Sequence, residues 1–353
     1  MPRDDHAAAL NAGPAWLRDF FPGNFAVVMG TGIVAVAAHL LRYPVVSWPL
    51  FAISLVGYGA IWLILLVRIV RFPRAVIEDF TSHDRGPTFL TIVAANGVLG
   101  SEFDAFGIAT ELLPVLFWFS VGLWCVLVYG FLSAVTVGIT KPDLEHGLNG
   151  AWLLLVVATE SLSVLSSLLA QRIATPPPLV FASLAFYLLG SMLYVLLSAL
   201  IFFRWVFRPM YPAEMGASWW INMGAVAIAT LAGAQLMSLP ASGELAPLLG
   251  FVAPFTVLLW ATSTFWIPLL VILFIWKEMQ RGPHGYDVGL WSAVFPLGMY
   301  VVATHNYATA ARLWFLDRIP KTLFWIALLV WVLTFVGMWV RLLRSRSKAT
   351  SVR

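Results

Sequence analysis

Charges interrupt this chain rarely and at regular intervals, leaving ten apolar stretches. These are Phe20–Leu41, Tyr43–Val67, Gly86–Ser101, Leu112–Thr140, a run from His146 to Gln171 broken only by Glu160, Ile173–Phe203, Met215–Gly243, Leu245–Trp276, Val288–Ala311 and Thr322–Val340. A hydrocarbon core of about 30 Å takes roughly 20 helical residues, with about 17–25 the usual range. The pattern therefore predicts ten membrane-spanning helices, of which the third is short and must tilt, thin the bilayer locally or be shielded inside a bundle. The stretches alternate in kind. Even ones are bulky, as in Ile61-Trp62-Leu63-Ile64-Leu65-Leu66, Leu116-Phe117-Trp118-Phe119 and Leu323-Phe324-Trp325-Ile326. Odd ones are small and polar, with Gly30, Thr31 and Gly32; Thr91, Asn96 and Gly97; Thr159 through Ser167; Asn222, Thr230 and Gln235; and Thr304, His305 and Asn306. Polar groups in hydrocarbon must meet protein or water. The simplest arrangement puts five odd helices inside and five even helices outside, facing lipid. Small residues also allow close helix packing with hydroxyls bonded to neighbours, and the two readings are compatible.

Composition removes the soluble alternative: 61% of residues are hydrophobic and 11% charged. With both termini inside, sixteen of the 21 Lys and Arg fall on the inner side and five, Arg42, Arg172, Arg312, Arg318 and Lys321, on the outer. Positive charge marks cytoplasmic loops, so this predicts a multi-pass cell-membrane protein with both termini cytoplasmic. The net charge of +4 then reflects topology and calls for no nucleic-acid partner. The organisation expected is a cytoplasmic tail over 1–19, a transmembrane domain over 20–341 and a basic cytoplasmic tail over 342–353. Arg18 followed by an apolar run resembles a signal peptide, but the uncharged run of 22 residues fits a first spanning helix. The lone Cys125 supports no disulfide framework and no Cys-based metal site, and reads as a buried packing residue.

Consecutive spans pair into five hairpins. In each odd span a small residue precedes a polar one, and Thr31, Asn96, Thr159, Thr230 and Thr304 are separated by 65, 63, 71 and 74 residues. Such spacing is what repeated hairpins leave after drift.

The stretch Phe21-Pro22-Gly23-Asn24-Phe25-Ala26-Val27-Val28-Met29-Gly30-Thr31-Gly32 closely resembles the opening of the tellurite-resistance and C4-dicarboxylate transporter family. That family includes plant slow anion channels, fungal malic acid permeases and sulfite efflux pumps. Ala151-Trp152-Leu153-Leu154-Leu155-Val156-Val157-Ala158-Thr159, and Phe295-Pro296-Leu297-Gly298-Met299-Tyr300 with Ala303-Thr304, agree with it. The resemblance implies an all-α membrane fold: a pseudo-fivefold ring of five hairpins, odd helices lining a central pore, usually a homotrimer with one pore per subunit. It implies transport of a small anion such as malate, sulfite or an inorganic monovalent ion. It also implies a phenylalanine plug on the ninth helix, matched by Phe295. Pro296 cannot donate its backbone hydrogen bond and kinks the helix, aiming the preceding ring inward. The plainer reading is a buried Phe beside a packing kink.

No Arg or Lys cluster lies in the odd spans, as suits a conducting path that must release its ion. Gly30, Thr31, Asn96, Thr159, Thr230 and Thr304 are the expected path-lining positions. Glu160 fits an anion path least well, because it is read as the only acid well inside a span. With His305 it is the candidate for proton coupling, which would make the protein a proton-coupled or pH-dependent carrier; the alternative is a structural bond to a neighbouring helix. His305 has no second His or acid at i+4, so no metal site is expected, and no cofactor. Arg312 is read as snorkelling to headgroups, and His39 as interfacial. An intramembrane enzyme is the reading from another class. The chain lacks His-Glu-x-x-His, Gly-x-Ser-Gly and paired intramembrane Asp, and Ser242-Gly243 lies in an outer loop behind Pro240-Ala241, so no enzyme is expected.

Overall fold

The computed structural model describes residues 14–174, 176–240, 245–280 and 286–350, and every regular element in them is a helix. Ten long helices follow in order: α1 (Phe25–Leu40), α2 (Pro44–Arg71), α3 (Thr91–Phe106), α4 (Leu113–Val137), α5 (Leu154–Arg172), α6 (Pro177–Phe207), α7 (Ile221–Met237), α8 (Val252–Met279), α9 (Trp291–Ala310) and α10 (Arg318–Thr350). Among the described residues, nine helical segments are long and apolar enough to cross a membrane. The tenth helix, α3, has 16 residues and carries Glu102 and Asp104. It is buried almost throughout, so protein shields the run that is too short for lipid.

Burial separates two layers. In the most apolar part of α1, α5, α7 and α9 between 61% and 100% of residues are buried, against 22% to 39% in the five even helices. Within the inner layer α1 packs on α3, α3 on α5, α5 on α7, α7 on α9, and α9 returns to α1, which closes a circuit. Each even helix packs on the odd helix before it in the chain, and α10 also reaches α1. Cys125 corrects an expectation here. It is exposed on α4 rather than buried, because it lies on the outward face of an outer helix, where a weakly polar thiol is tolerated by lipid.

Local sequence explains both helix ends. Every odd helix is entered through a 3-10 turn: Pro22–Asn24, Gly86–Leu90, Gly150–Leu153, Ala217–Trp220 and Val288–Leu290. Every even helix carries proline in its first turn, at Pro44, Pro114, Pro177, Pro254 and Pro320, where the missing N–H has no partner to lose. Among the described residues, four of the turns from odd to even helix contain left-handed residues. Arg42 at φ 63° and Arg312 at φ 57° stand where glycine is usual. Tyr43 N donates to Ala38 O at 2.8 Å and Leu313 N to Ala308 O at 2.8 Å, the long bond of a Schellman turn in each case.

The helix α10 runs on to Thr350, so the basic segment expected as a tail is helical over 342–350. Residues 1–13 and 351–353, with Arg3 and Arg353, and also Arg281 and Ser242-Gly243, lie outside the described residues.

Candidate functional site

The segments leading into all five odd helices meet around one cavity of about 350 Å³. Phe21 and Met29 reach it from the first hairpin, Thr88 and Thr91 from the second, Asn149 and Leu154 from the third, Ser218 and Ile221 from the fourth, and Ser292 and Phe295 from the fifth. Met29 and Phe295 lie a turn inside their helices, further along them than the other lining residues. Five helix N-termini thus point their partial positive charge toward this space. Three carboxylates also line it, each held by a neighbour. Asn149 Nδ2 donates to Asp84 Oδ1 at 2.7 Å, Gly289 N to Asp287 Oδ1 at 2.6 Å, and Arg204 stands 3.5 Å from Glu214.

Arginines at the ends of the outer helices brace the rim. Arg68 Nε donates to the Arg18 carbonyl at 2.9 Å, Arg204 Nη1 to Leu148 O at 2.6 Å, and Arg341 Nη1 to Tyr286 O at 2.7 Å. In each case the even helix ties down the segment entering the odd helix of its own hairpin. Arg68 is almost fully buried and also pairs with Asp79 at 2.6 Å, which Arg85 meets at 2.9 Å. That triad seats the short helix Pro73–Thr81 against the end of α2. Next to α9, burial pushes the Tyr286 phenol above its ordinary range, partly opposed by the bond from Trp291, so it is a neutral hydroxyl at physiological pH.

Phe295 is 2% exposed, and Pro296 follows it inside α9. Glycines let the neighbours close on this turn. A Cβ at Gly224 of α7 would lie 2.7 Å from Pro296 Cγ, and one at Gly298 would lie 2.7 Å from Ile33 of α1. Gly30 faces α9 in the same way, 3.1 Å from Trp291 and Val294.

The polar step of the odd helices faces the outer layer. Trp331 Nε1 of α10 donates to Thr31 Oγ1 at 3.0 Å, Trp124 Nε1 of α4 to Thr159 at 2.9 Å, and Trp260 Nε1 of α8 to Thr304 at 3.1 Å. Tyr58 Oη of α2 donates to Asn96 Oδ1 at 2.8 Å, and Asn96 Nδ2 to Ser120 Oγ at 3.0 Å. In these four cases the aromatic donor belongs to the even helix preceding the odd one around the circuit. Thr230 instead bonds back to Val226 O at 2.9 Å. All five side chains are buried, and their hydrogen bonds join hairpins or close back on their own helix.

Glu160 lies on α5, fully buried, against α6. Ser191 Oγ donates to its Oε1 at 3.4 Å, and Gly190 makes room for the carboxyl, with a hypothetical Cβ 2.5 Å from that oxygen. Its Oε2 is buried without a partner. His305 is half-buried on α9, which does not adjoin α5 in the circuit, so the two proposed proton carriers are not brought together.

A second buried acid corrects the view that Glu160 stands alone. Glu102 of α3 is fully buried, accepts from Ser54 Oγ of α2 at 2.9 Å, and leaves Oε1 without a partner. Gly32 of α1 makes room for it. Reading spans between charges ended the third stretch at Ser101 and so placed Glu102 outside. The apolar Phe103, Ala105 and Phe106 that follow were the available signal.

A closed circuit of buried helices flanked by more exposed apolar ones, with a cavity at five helix starts, defines a polytopic all-helical membrane protein. The chain belongs to the voltage-dependent anion channel family, whose sequence profile matches residues 19–339. It is 23% identical to an uncharacterized transporter of Methanocaldococcus jannaschii over 91% of this chain and 94% of that protein. It is 24% identical to a sulfite efflux pump of Trichophyton rubrum over 94% of this chain and 91% of the pump. A stretch covering 41% of the chain is 40% identical to 75% of an uncharacterized membrane protein of Mycobacterium tuberculosis. The class expected from the Phe21–Gly32 stretch, a membrane protein of an anion channel and transporter family, is the class these similarities give.

Proposed function

We propose that the protein passes small anions along the axis of the odd-helix circuit, a pseudo-fivefold ring of hairpins, from the cavity past a plug formed by Phe295 and aimed by Pro296. The observation that carries this reading is the convergence of all five odd-helix N-termini on one cavity that Phe295 lines from a turn inside α9. Helix dipoles and backbone donors attract an anion there without binding it as tightly as a buried Lys or Arg would, which suits conduction. The positions Gly30, Thr31, Asn96, Thr159, Thr230 and Thr304 serve the path through the slim inner helices they make, while the side chains of Thr31, Asn96, Thr159 and Thr304 fasten hairpins. The excess of basic residues at this end makes it the cytoplasmic side of the cell membrane, with both termini there. Family resemblance favours a homotrimer with one path per subunit, and transport in place of catalysis. Sulfite, C4-dicarboxylates such as malate, and inorganic monovalent anions are the cargo to compare.

The test is flux of each anion into liposomes holding purified wild type or Phe295→Ala. The substitution should raise flux, and an unchanged rate would remove the plug. A second reading, proton-coupled carriage, is favoured by the two buried carboxyls with an unpartnered oxygen, Glu102 and Glu160. Glu160→Gln and Glu102→Gln should then flatten the dependence of flux on pH; the same profile as wild type would leave both as structural groups.

A further inference from the structure

Trp291 stands one helical turn before Phe295 on α9, and both side chains line the cavity. Residues four apart share a helix face, which puts both rings on one side of α9 at the cavity. The Trp291 ring is fully buried and held on two sides. It rests against Gly30 of α1, where a Cβ would lie 3.1 Å away, and its Nε1 donates to Tyr286 Oη at 3.1 Å. Tyr286 is in turn held by the far end of α10. Arg341 Nη1 donates to the Tyr286 carbonyl at 2.7 Å, the guanidinium lies 6.0 Å from the phenol ring centroid, and Gly337 leaves space for that ring, with a hypothetical Cβ 3.2 Å from it.

We propose that Tyr286 and Arg341 are positioning residues for the Phe295 plug, acting through Trp291, so that the end of α10 sets how readily the path opens. The proposal rests on the plug reading above. Arg68 and Arg204 make the corresponding backbone bonds in the first and third hairpins. In the fifth hairpin the residue so held also supplies the acceptor for the side chain beside the plug. A buried indole N–H that loses its acceptor is destabilised, so Trp291 and Phe295 keep the closed arrangement best while Tyr286 keeps its place. A displacement of α10 near Gly337 and Arg341 would move Tyr286 and release that restraint.

Tyr286→Phe removes the acceptor and keeps the ring. In liposomes assayed with nitrate and sulfite, it should raise flux by about two- to tenfold, the range that one net hydrogen bond gives to a two-state equilibrium. Arg341→Gln should act in the same direction. For Tyr286→Phe the elution volume in detergent should match wild type and the melting temperature should fall by no more than one lost hydrogen bond accounts for, which separates positioning from general loosening. In the Phe295→Ala background, Tyr286→Phe should add nothing. The relay is overturned if Tyr286→Phe has wild-type flux while Phe295→Ala is open, or if its effect is as large without Phe295 as with it. If Phe295→Ala alone leaves flux unchanged, the plug falls and the relay falls with it, and that single variant identifies which has failed.

Discussion

The inner and outer helices differ in what a side chain meets, and so in what the sequence must supply. On α2, a Cβ at Gly59 would meet nothing within 4 Å, and the same holds at Gly122 on α4. On the inner helices Gly30, Gly32, Gly97, Gly224, Gly233 and Gly298 each lie against a neighbouring helix at a distance that leaves a methyl group little or no room. At these crossings the inner layer is therefore specified by exclusion, whereas the outer layer is mainly bulky and apolar and also holds glycines that exclude nothing. Glycine thus marks close approach at these inner positions, while on the outer helices it marks either an open face, at Gly59 and Gly122, or room for one particular side chain, at Gly190 and Gly337.

The sharpest way to break this contrast is at the rim, at Gly150. A Cβ there would overlap the carbonyl oxygen of Ser218, and the clash is with backbone, which cannot rotate away. Gly150→Ala should cost about 3 kcal/mol or more, beyond ordinary overpacking, and lower the melting temperature or abolish the folded protein in detergent. The third and fourth hairpins meet at this point, so the loss should come with disturbance of the cavity. A variant as stable as wild type would show that the two 3-10 turns are free to separate.

A smaller effect is expected where the layers are joined. Trp331→Phe leaves the Thr31 hydroxyl without its donor, and Trp124→Phe does the same for Thr159. Interhelical hydrogen bonds in membranes average about 0.6 kcal/mol and reach about 1.7 kcal/mol, so each substitution should lower stability by an amount in that range, with some added loss from the smaller ring. The two sites are far apart in the circuit, and the double variant should show additive losses. Strong non-additivity would mean that the hairpins act as one cooperative ring and are not tied pair by pair.

These ties also show where sequence reading stops. Among the described residues, nine helices of membrane-spanning length were legible because charges stand near their ends, and the two layers because lipid demands bulky apolar faces. The direction of Thr31, Thr159 and Thr304 was not legible. A helix buried on every side has no polar stripe to mark its axis-facing edge, so a hydroxyl expected to line a path can equally face an outer tryptophan. Arg68, Arg204 and Arg341 were counted as topology signals, since their position near span ends explains them fully without the backbone carbonyls that they bind. Glu102 was lost for a related reason: a reading that treats charge as a boundary cannot find a charge inside. The Phe-Pro pair at Phe295 was visible, but its place beside Trp291 and Tyr286 depends on a fold in which α10 returns to α9.

The smallest effect tests the outer layer itself. Gly59→Ala should stabilise the protein by up to about 1 kcal/mol, because alanine restricts the unfolded chain and meets no neighbour in the folded one. Gly122→Ala on α4 should do the same, and neither should alter anion flux. A rise in melting temperature at both positions would mean that these faces of α2 and α4 touch only lipid. Loss of stability at one of them, with a change in elution volume, would mean that a second copy of the chain covers that face, and would locate on α2 or α4 the contact that a homotrimer requires.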